Sequence, residues 1–199
     1  MSRIGVALFA SLLFLGCRPN GRPREQSIVL PKYWQVPEFS LIDQEDLSFG
    51  RAAMNGTVWV VDFFYSSCPG PCPMLSNRLR EIHGLLGAQK GVGLLSISSD
   101  PERDTPVVLR RYAEKFGANE RWRFLTGEKA VVHRLANDGF KLSLQETPGA
   151  DEPVTHSTRI VLVDRDGWIR GFYEGVGEGS DAATVRLLRD VNYLVKEAP

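Results

Sequence analysis

Hydrophobic positions change their period several times along the chain, and each change marks an element. Val58-Trp59-Val60-Val61-Asp62-Phe63-Phe64-Tyr65 is a nearly unbroken β-branched and aromatic run. That is the pattern of a strand covered on both faces of a sheet, predicted over about Thr57 to Tyr65. The run breaks into Cys68-Pro69-Gly70-Pro71-Cys72-Pro73, after which Leu75, Leu79, Ile82, Leu85 and Leu86 recur at helical spacing, with Gly84 and Gly87 marking the end. Val92 to Ser98 is a second buried strand, and the helix ahead of it predicts parallel pairing with the first. Asp104-Thr105-Pro106 predicts a helix start with a capping side chain ahead of proline. Val108, Leu109, Tyr112 and Phe116 continue that helix to Gly117.

The flanking segments carry shorter patterns. Tyr33 to Leu41 is a lead-in whose residues Val36 to Leu41 alternate as a short strand; Asp43 to Asp46 turns, and Leu47-Ser48-Phe49 returns as a hairpin arm. Trp122 to Leu125 reads as a short strand, Glu128 to Asn137 as a modest helix, Phe140 to Leu144 as a strand and Glu146 to Pro153 as a loop. Thr158 to Asp164 and Trp168 to Tyr173 predict a hairpin around Arg165-Asp166-Gly167, where Asp-Gly favours a tight turn. Ser180 or Asp181 is the expected cap of a last helix with Val185, Leu188, Val191 and Leu194 inward. This order predicts a three-layer α/β fold with a mixed sheet and an extra N-terminal hairpin. His83 and His133 fall on helices; His83 is expected to face solvent, and His133 to be partly exposed and structural.

The first residues belong to a different class. Met1-Ser2-Arg3 is a short basic start, and Ile4 to Leu15 is a twelve-residue apolar run ending at Gly16-Cys17. Such a run suits a signal-peptide core and is short for a membrane span. A small residue followed by cysteine resembles the lipobox of bacterial lipoproteins, although Phe14 stands where leucine is commoner. The resemblance implies cleavage before Cys17 and lipid on its thiol; a plain secretory peptide with an incidental Cys17 is the alternative. The expected division is a signal peptide over 1–16, a flexible tether over 17–32 and one domain over 33–199, facing the periplasm or extracytoplasmic space. The full chain balances 24 basic against 24 acidic residues, and no basic stripe marks a nucleic-acid surface.

With Cys17 assigned to lipid, Cys68 and Cys72 remain as the only cysteine pair. A spacing of four places two residues on one helix face, so the thiols can close a disulfide or face one metal ion. The loop between them is too short for a disulfide to remove much unfolded-state entropy, which argues for reactive or metal-binding thiols. A helix N-terminus should favour thiolate and lower the pKa.

The order of elements, with Cys-x-x-x-Cys after the first core strand, resembles the thioredoxin fold, and Asp62 stands where thioredoxins carry a buried Asp. A finer match joins Cys68 to Pro73, the stretch Ser99-Asp100-Pro101-Glu102-Arg103-Asp104-Thr105-Pro106 and Thr155-His156-Ser157. In that order and spacing they resemble the Sco (SenC) family of copper-binding assembly proteins. The resemblance implies copper held by Cys68, Cys72 and His156, with Asp62 and Asp100 as possible supporting residues. It also implies delivery to the CuA site of apo cytochrome c oxidase subunit II, with a thiol reductant as second partner and a membrane lipid anchor. Two thiolates and an imidazole suit Cu(I) and can hold Cu(II). Each residue has a plainer reading: His156 bonded to backbone, Asp100 forming the turn before Pro101, Asp62 bonded at a strand end. A thiol–disulfide oxidoreductase using a Cys68–Cys72 disulfide is the competing function. A peroxiredoxin is disfavoured, because Val61 and Tyr65 stand where that family carries Pro and Thr.

Overall fold

The computed structural model describes residues 29–146 and 154–197. The signal segment, Cys17 and all but the end of the tether lie outside the described residues, as does most of the loop expected between Glu146 and Pro153.

β1 (Ser40–Asp43) and β2 (Ser48–Gly50) form the N-terminal hairpin, followed by β3 (Val58–Phe64), α1 (Pro71–Leu86), β4 (Val92–Ser98), α2 (Pro106–Lys115) and β5 (Trp122–Thr126). Then come α3 (Lys129–Arg134), which runs on into a π-helical turn, β6 (Leu144–Glu146), β7 (Val154–His156), β8 (Arg159–Val163), β9 (Ile169–Glu174) and α4 (Ser180–Lys196). Seven strands make one sheet in the order β2-β1-β5-β4-β3-β8-β9, and β6 pairs with β7 alone. β3, β4 and β5 are parallel, whereas β1, β8 and β9 run against their neighbours. Every residue of β3 and β4 is buried, as an apolar run covered on both faces requires.

Two right-handed crossovers in the same direction put α1 and α2 on one face of the sheet. Ser76 Oγ and Tyr112 Oη, 2.9 Å apart, join these helices, and Arg78 pairs with Asp181 of α4 at 2.5 Å. On the other face, Phe140 beyond α3 meets Phe63 edge-on with ring centroids 5.5 Å apart. The molecule is therefore the expected three-layer α/β plan, and the seven-stranded mixed sheet carries the expected hairpin at its edge.

Four local expectations are corrected. The alternating segment Val36–Leu41 does not pair as a strand until Ser40; Gln35 makes a single bridge to Trp168. Phe140–Leu144 is not a strand, since the helix before it lengthens into the π turn Leu135–Gly139 and pairing begins at Leu144. α4 has no side-chain cap: Gly179, at φ 80°, occupies that place. The inward face of α4 is Ala183, Thr184, Leu187, Val191 and Leu194, while Val185 is 69% exposed. Two polar residues, Thr184 and Asp190, are buried on that face and bonded there, which hid it from an apolar count.

Leu30 and Pro31 are tied to the domain through their backbone. The Leu30 carbonyl oxygen and that of Pro31 accept from the Arg170 guanidinium, at 3.0 and 2.9 Å. Arg170 also pairs with Asp164 at 2.8 Å and Glu197 at 2.9 Å, tying the N-terminal segment, the β8–β9 turn and the end of α4 into one cluster.

Candidate metal centre

The sheet brings the two cysteines to the C-terminal end of β3. Cys68 lies in the turn after the strand, and Cys72 is the second residue of α1, behind Pro71. Proline suits this position, since its fixed φ fits the first turn and its missing N–H has no partner to lose there. Cys68 is 7% exposed and Cys72 fully buried; both are thiols, not a disulfide. The Cys72 side chain is hydrogen-bonded to that of Cys68.

Burial pushes the Cys72 thiol well above its ordinary pKa; the Cys68 contact and the nearby Asp62 add to the rise, against a backbone hydrogen bond from Tyr65. The lowering expected from the helix N-terminus is thus outweighed by desolvation in the metal-free protein. A cation that binds Cys72 as thiolate must displace this proton, so its binding releases it.

Asp62 is 1% exposed in the middle of β3, and its carboxyl is raised to about 7, chiefly by burial, with the Ser96 hydrogen bond opposing. It lies near enough to Cys72 to act on that thiol's charge. Asp100 sits in the turn after β4, where it pairs with Arg103 at 2.7 Å and its carbonyl accepts from the Asp104 amide at 2.9 Å. The contacts of Asp100 are therefore those of a turn residue.

His156 ends β7, its Cα opposite Leu144 of β6. β8 runs antiparallel to β3 with Val61 opposite Val161, so Arg159 falls level with Phe63. The backbone just ahead of β8, including His156, therefore reaches the pole of the sheet at which β3 gives way to Cys68.

Sequence reasoning passed over Asp104 and its serines. The Asp104 carboxylate is fully buried: Oδ2 accepts from the Ser66 amide at 3.0 Å and from Ser98 Oγ at 2.5 Å, and Oδ1 accepts from Ser66 Oγ. Thr105 takes the cap position and makes no side-chain bond there. The adjacent strand ends Ser66 and Ser98 were the only available signal, and nothing local in the sequence joins them to Asp104.

Comparison with known proteins places most of the chain. The chain matches the SCO1/SenC family model over residues 31–189. The SCO1 protein homolog of Bacillus subtilis (strain 168) is 30% identical over 173 residues, which cover 85% of this chain and 87% of the relative. The solved structure of BsSco is described as that of a member of the Sco family of cytochrome c oxidase assembly proteins with a disulfide switch. It is 27% identical, with a TM-score of 0.74 over 86% of this chain and 100% of its own. Bradyrhizobium japonicum ScoI, solved with copper bound, shares the fold at 24% identity and a TM-score of 0.66, over 81% of this chain and 99% of its own. No described helix is long and apolar enough to cross a membrane. With a family model matched across most of its length and a relative at 30% identity, the chain belongs to the SCO1/SenC family.

Proposed function

We propose that this protein is a copper chaperone: Cys68, Cys72 and His156 bind one copper ion, and the domain delivers it to the CuA site of cytochrome c oxidase subunit II. The observation that carries the reading is the pair of buried, hydrogen-bonded thiols at the junction of β3 and α1, at the pole to which the backbone of His156 also runs. Two sulfurs so paired suit a soft ion of low coordination number, and a nitrogen donor extends the set to Cu(II). Copper is the metal of the solved Bradyrhizobium ScoI, and oxidase assembly is the role named for the family of BsSco.

The domain works outside the cytoplasm, held at a membrane by lipid on Cys17. Leu30 and Pro31 dock on Arg170, near the end of β8 that lies opposite Trp59. From Trp59 to the end of β3 is about 17 Å of strand, so the chain joins the domain at the pole away from the thiols. A copper site on the far pole stays open to a partner.

A second reading has its own support. The Cys72 thiol is hydrogen-bonded to Cys68, and BsSco is described as carrying a disulfide switch. In that reading the pair reduces target cysteines, with a thiol reductant restoring it. Titrating copper into the reduced wild type, His156→Ala and Cys72→Ser, and assaying oxidase assembly with each, separates the two. The chaperone requires that Cys72→Ser lose stable copper binding and that His156→Ala keep Cu(I) while losing Cu(II). If His156→Ala binds both copper states like wild type and supports assembly, the thiol reductase takes its place.

A further inference from the structure

Asp104 is the hub that fixes the turn carrying Cys68. A carboxylate with no exposed surface has lost its water and depends on protein donors, and all those it has come from two strand ends. Ser66, two residues ahead of Cys68, gives it both its amide and its hydroxyl, and Ser98 gives its hydroxyl. The Ser98 oxygen accepts in turn from the Asp100 amide at 3.1 Å. Two residues before Ser66, at the end of β3, the Phe64 carbonyl accepts from the Ser99 amide at 2.7 Å and the Ser99 hydroxyl at 2.9 Å. The backbone from the end of β3 towards Cys68 is thus held at Phe64 and at Ser66, in both cases by the segment that follows β4. Moving Ser66 would leave a buried acceptor short of donors, so the turn has little freedom.

We propose that Asp104 is a positioning residue for Cys68: its clamp on Ser66 sets where the Cys68 sulfur stands relative to Cys72. The consequence for copper rests on the chaperone reading above, while the clamp itself requires no metal. A group that orients a ligand without touching the ion tunes affinity on the order of 10- to 100-fold. The inference also explains why the Ser99-to-Pro106 stretch accompanies the cysteine motif: it supplies the carboxylate that holds the motif's first turn.

The test uses Asp104→Asn and Ser66→Ala, with Leu109→Ala as a control that lowers stability from the buried face of α2. Amide hydrogen exchange over residues 66–68 is measured in the reduced, copper-free protein. Copper loss and the thiolate-to-copper absorption band are measured in the Cu(II) form. Asp104→Asn and Ser66→Ala should speed exchange at 66–68, shift the band and accelerate copper loss roughly tenfold or more. Leu109→Ala should lower the melting temperature and move neither readout. Unchanged exchange at 66–68 in both variants overturns the proposal, as does an equal change in Leu109→Ala. If Asp104→Asn does not fold, Ser66→Ala decides, because it leaves the carboxylate its other donors. If the wild type holds no copper, the chaperone reading fails, and the exchange measurement still decides the clamp.

Discussion

Ser96 Oγ donates to Asp62 Oδ1 at 2.5 Å, while the other oxygen of that carboxylate is buried without a hydrogen-bond partner among the described residues. Trp122 Nε1 donates to the same serine oxygen at 2.9 Å, which leaves the serine hydrogen for Asp62. Half of the carboxylate is satisfied and half is not, so the neutral acid is the form this site favours.

A stability slope follows from that preference. The folded-state pKa of Asp62, about 7, lies above the ordinary 3.8, so between these values the native state holds more protons than the unfolded chain. Stability from this group is therefore full below about pH 4 and declines as pH rises towards 7, by an amount on the order of 4 kcal/mol. Asp62→Asn should remove the slope. Its gain at pH 8 should be smaller than that figure, because the new amide buries an N–H2 beside the unpartnered position. Urea denaturation of the reduced, copper-free pair from pH 4 to pH 8 measures the difference; a difference independent of pH would contradict the assignment.

Gly175 and Gly84 should respond to alanine in opposite directions. A Cβ on Gly175 would stand 2.3 Å from Leu75 Cδ1 and 2.5 Å from the Thr158 carbonyl oxygen. The leucine can move, but the carbonyl is backbone and also accepts from the Gly175 amide at 3.1 Å. Gly175→Ala should cost about 1–3 kcal/mol and, by shifting the chain two residues past His156, weaken Cu(II) more than Cu(I). A Cβ on Gly84 of α1 meets nothing within 4 Å, and Gly84→Ala should stabilise by about 0.5–1 kcal/mol without touching copper. Chemical denaturation and copper titration of both variants are the measurements.

Arg170→Met should cost about 3 kcal/mol or more. The side chain is 2% exposed, and its loss strands buried Asp164 together with the Leu30 and Pro31 carbonyls. Limited proteolysis should then cut ahead of Tyr33 faster than in wild type. Equal cleavage and an unchanged urea midpoint would mean that the cluster does not hold this segment.

Cys17→Ser in the full chain should move the protein from the membrane to the soluble fraction, or leave it uncleaved. Normal processing with unchanged membrane attachment would rule out the lipid anchor.

Features that depend on neighbours a few residues apart could be read along the chain. The continuous apolar runs identified β3 and β4, helical spacing after Pro71 identified α1, and Asp166-Gly167 identified the β8–β9 turn. The cysteine spacing placed both thiols at one strand–helix junction. Tertiary structure alone decided what depends on residues far apart in the chain. Ser66 and Asp104 meet across 38 positions, and no periodicity encodes such a pairing. The face of α4 turned away from the apolar count because Tyr173 gives buried Asp190 a partner at 2.7 Å, making a polar residue admissible in the core. The rise of the Cys72 thiol was hidden for the same kind of reason. A helix N-terminus can be read from sequence and favours thiolate, but the desolvation that outweighs it comes from whatever packs over the site, and only the assembled fold fixes that.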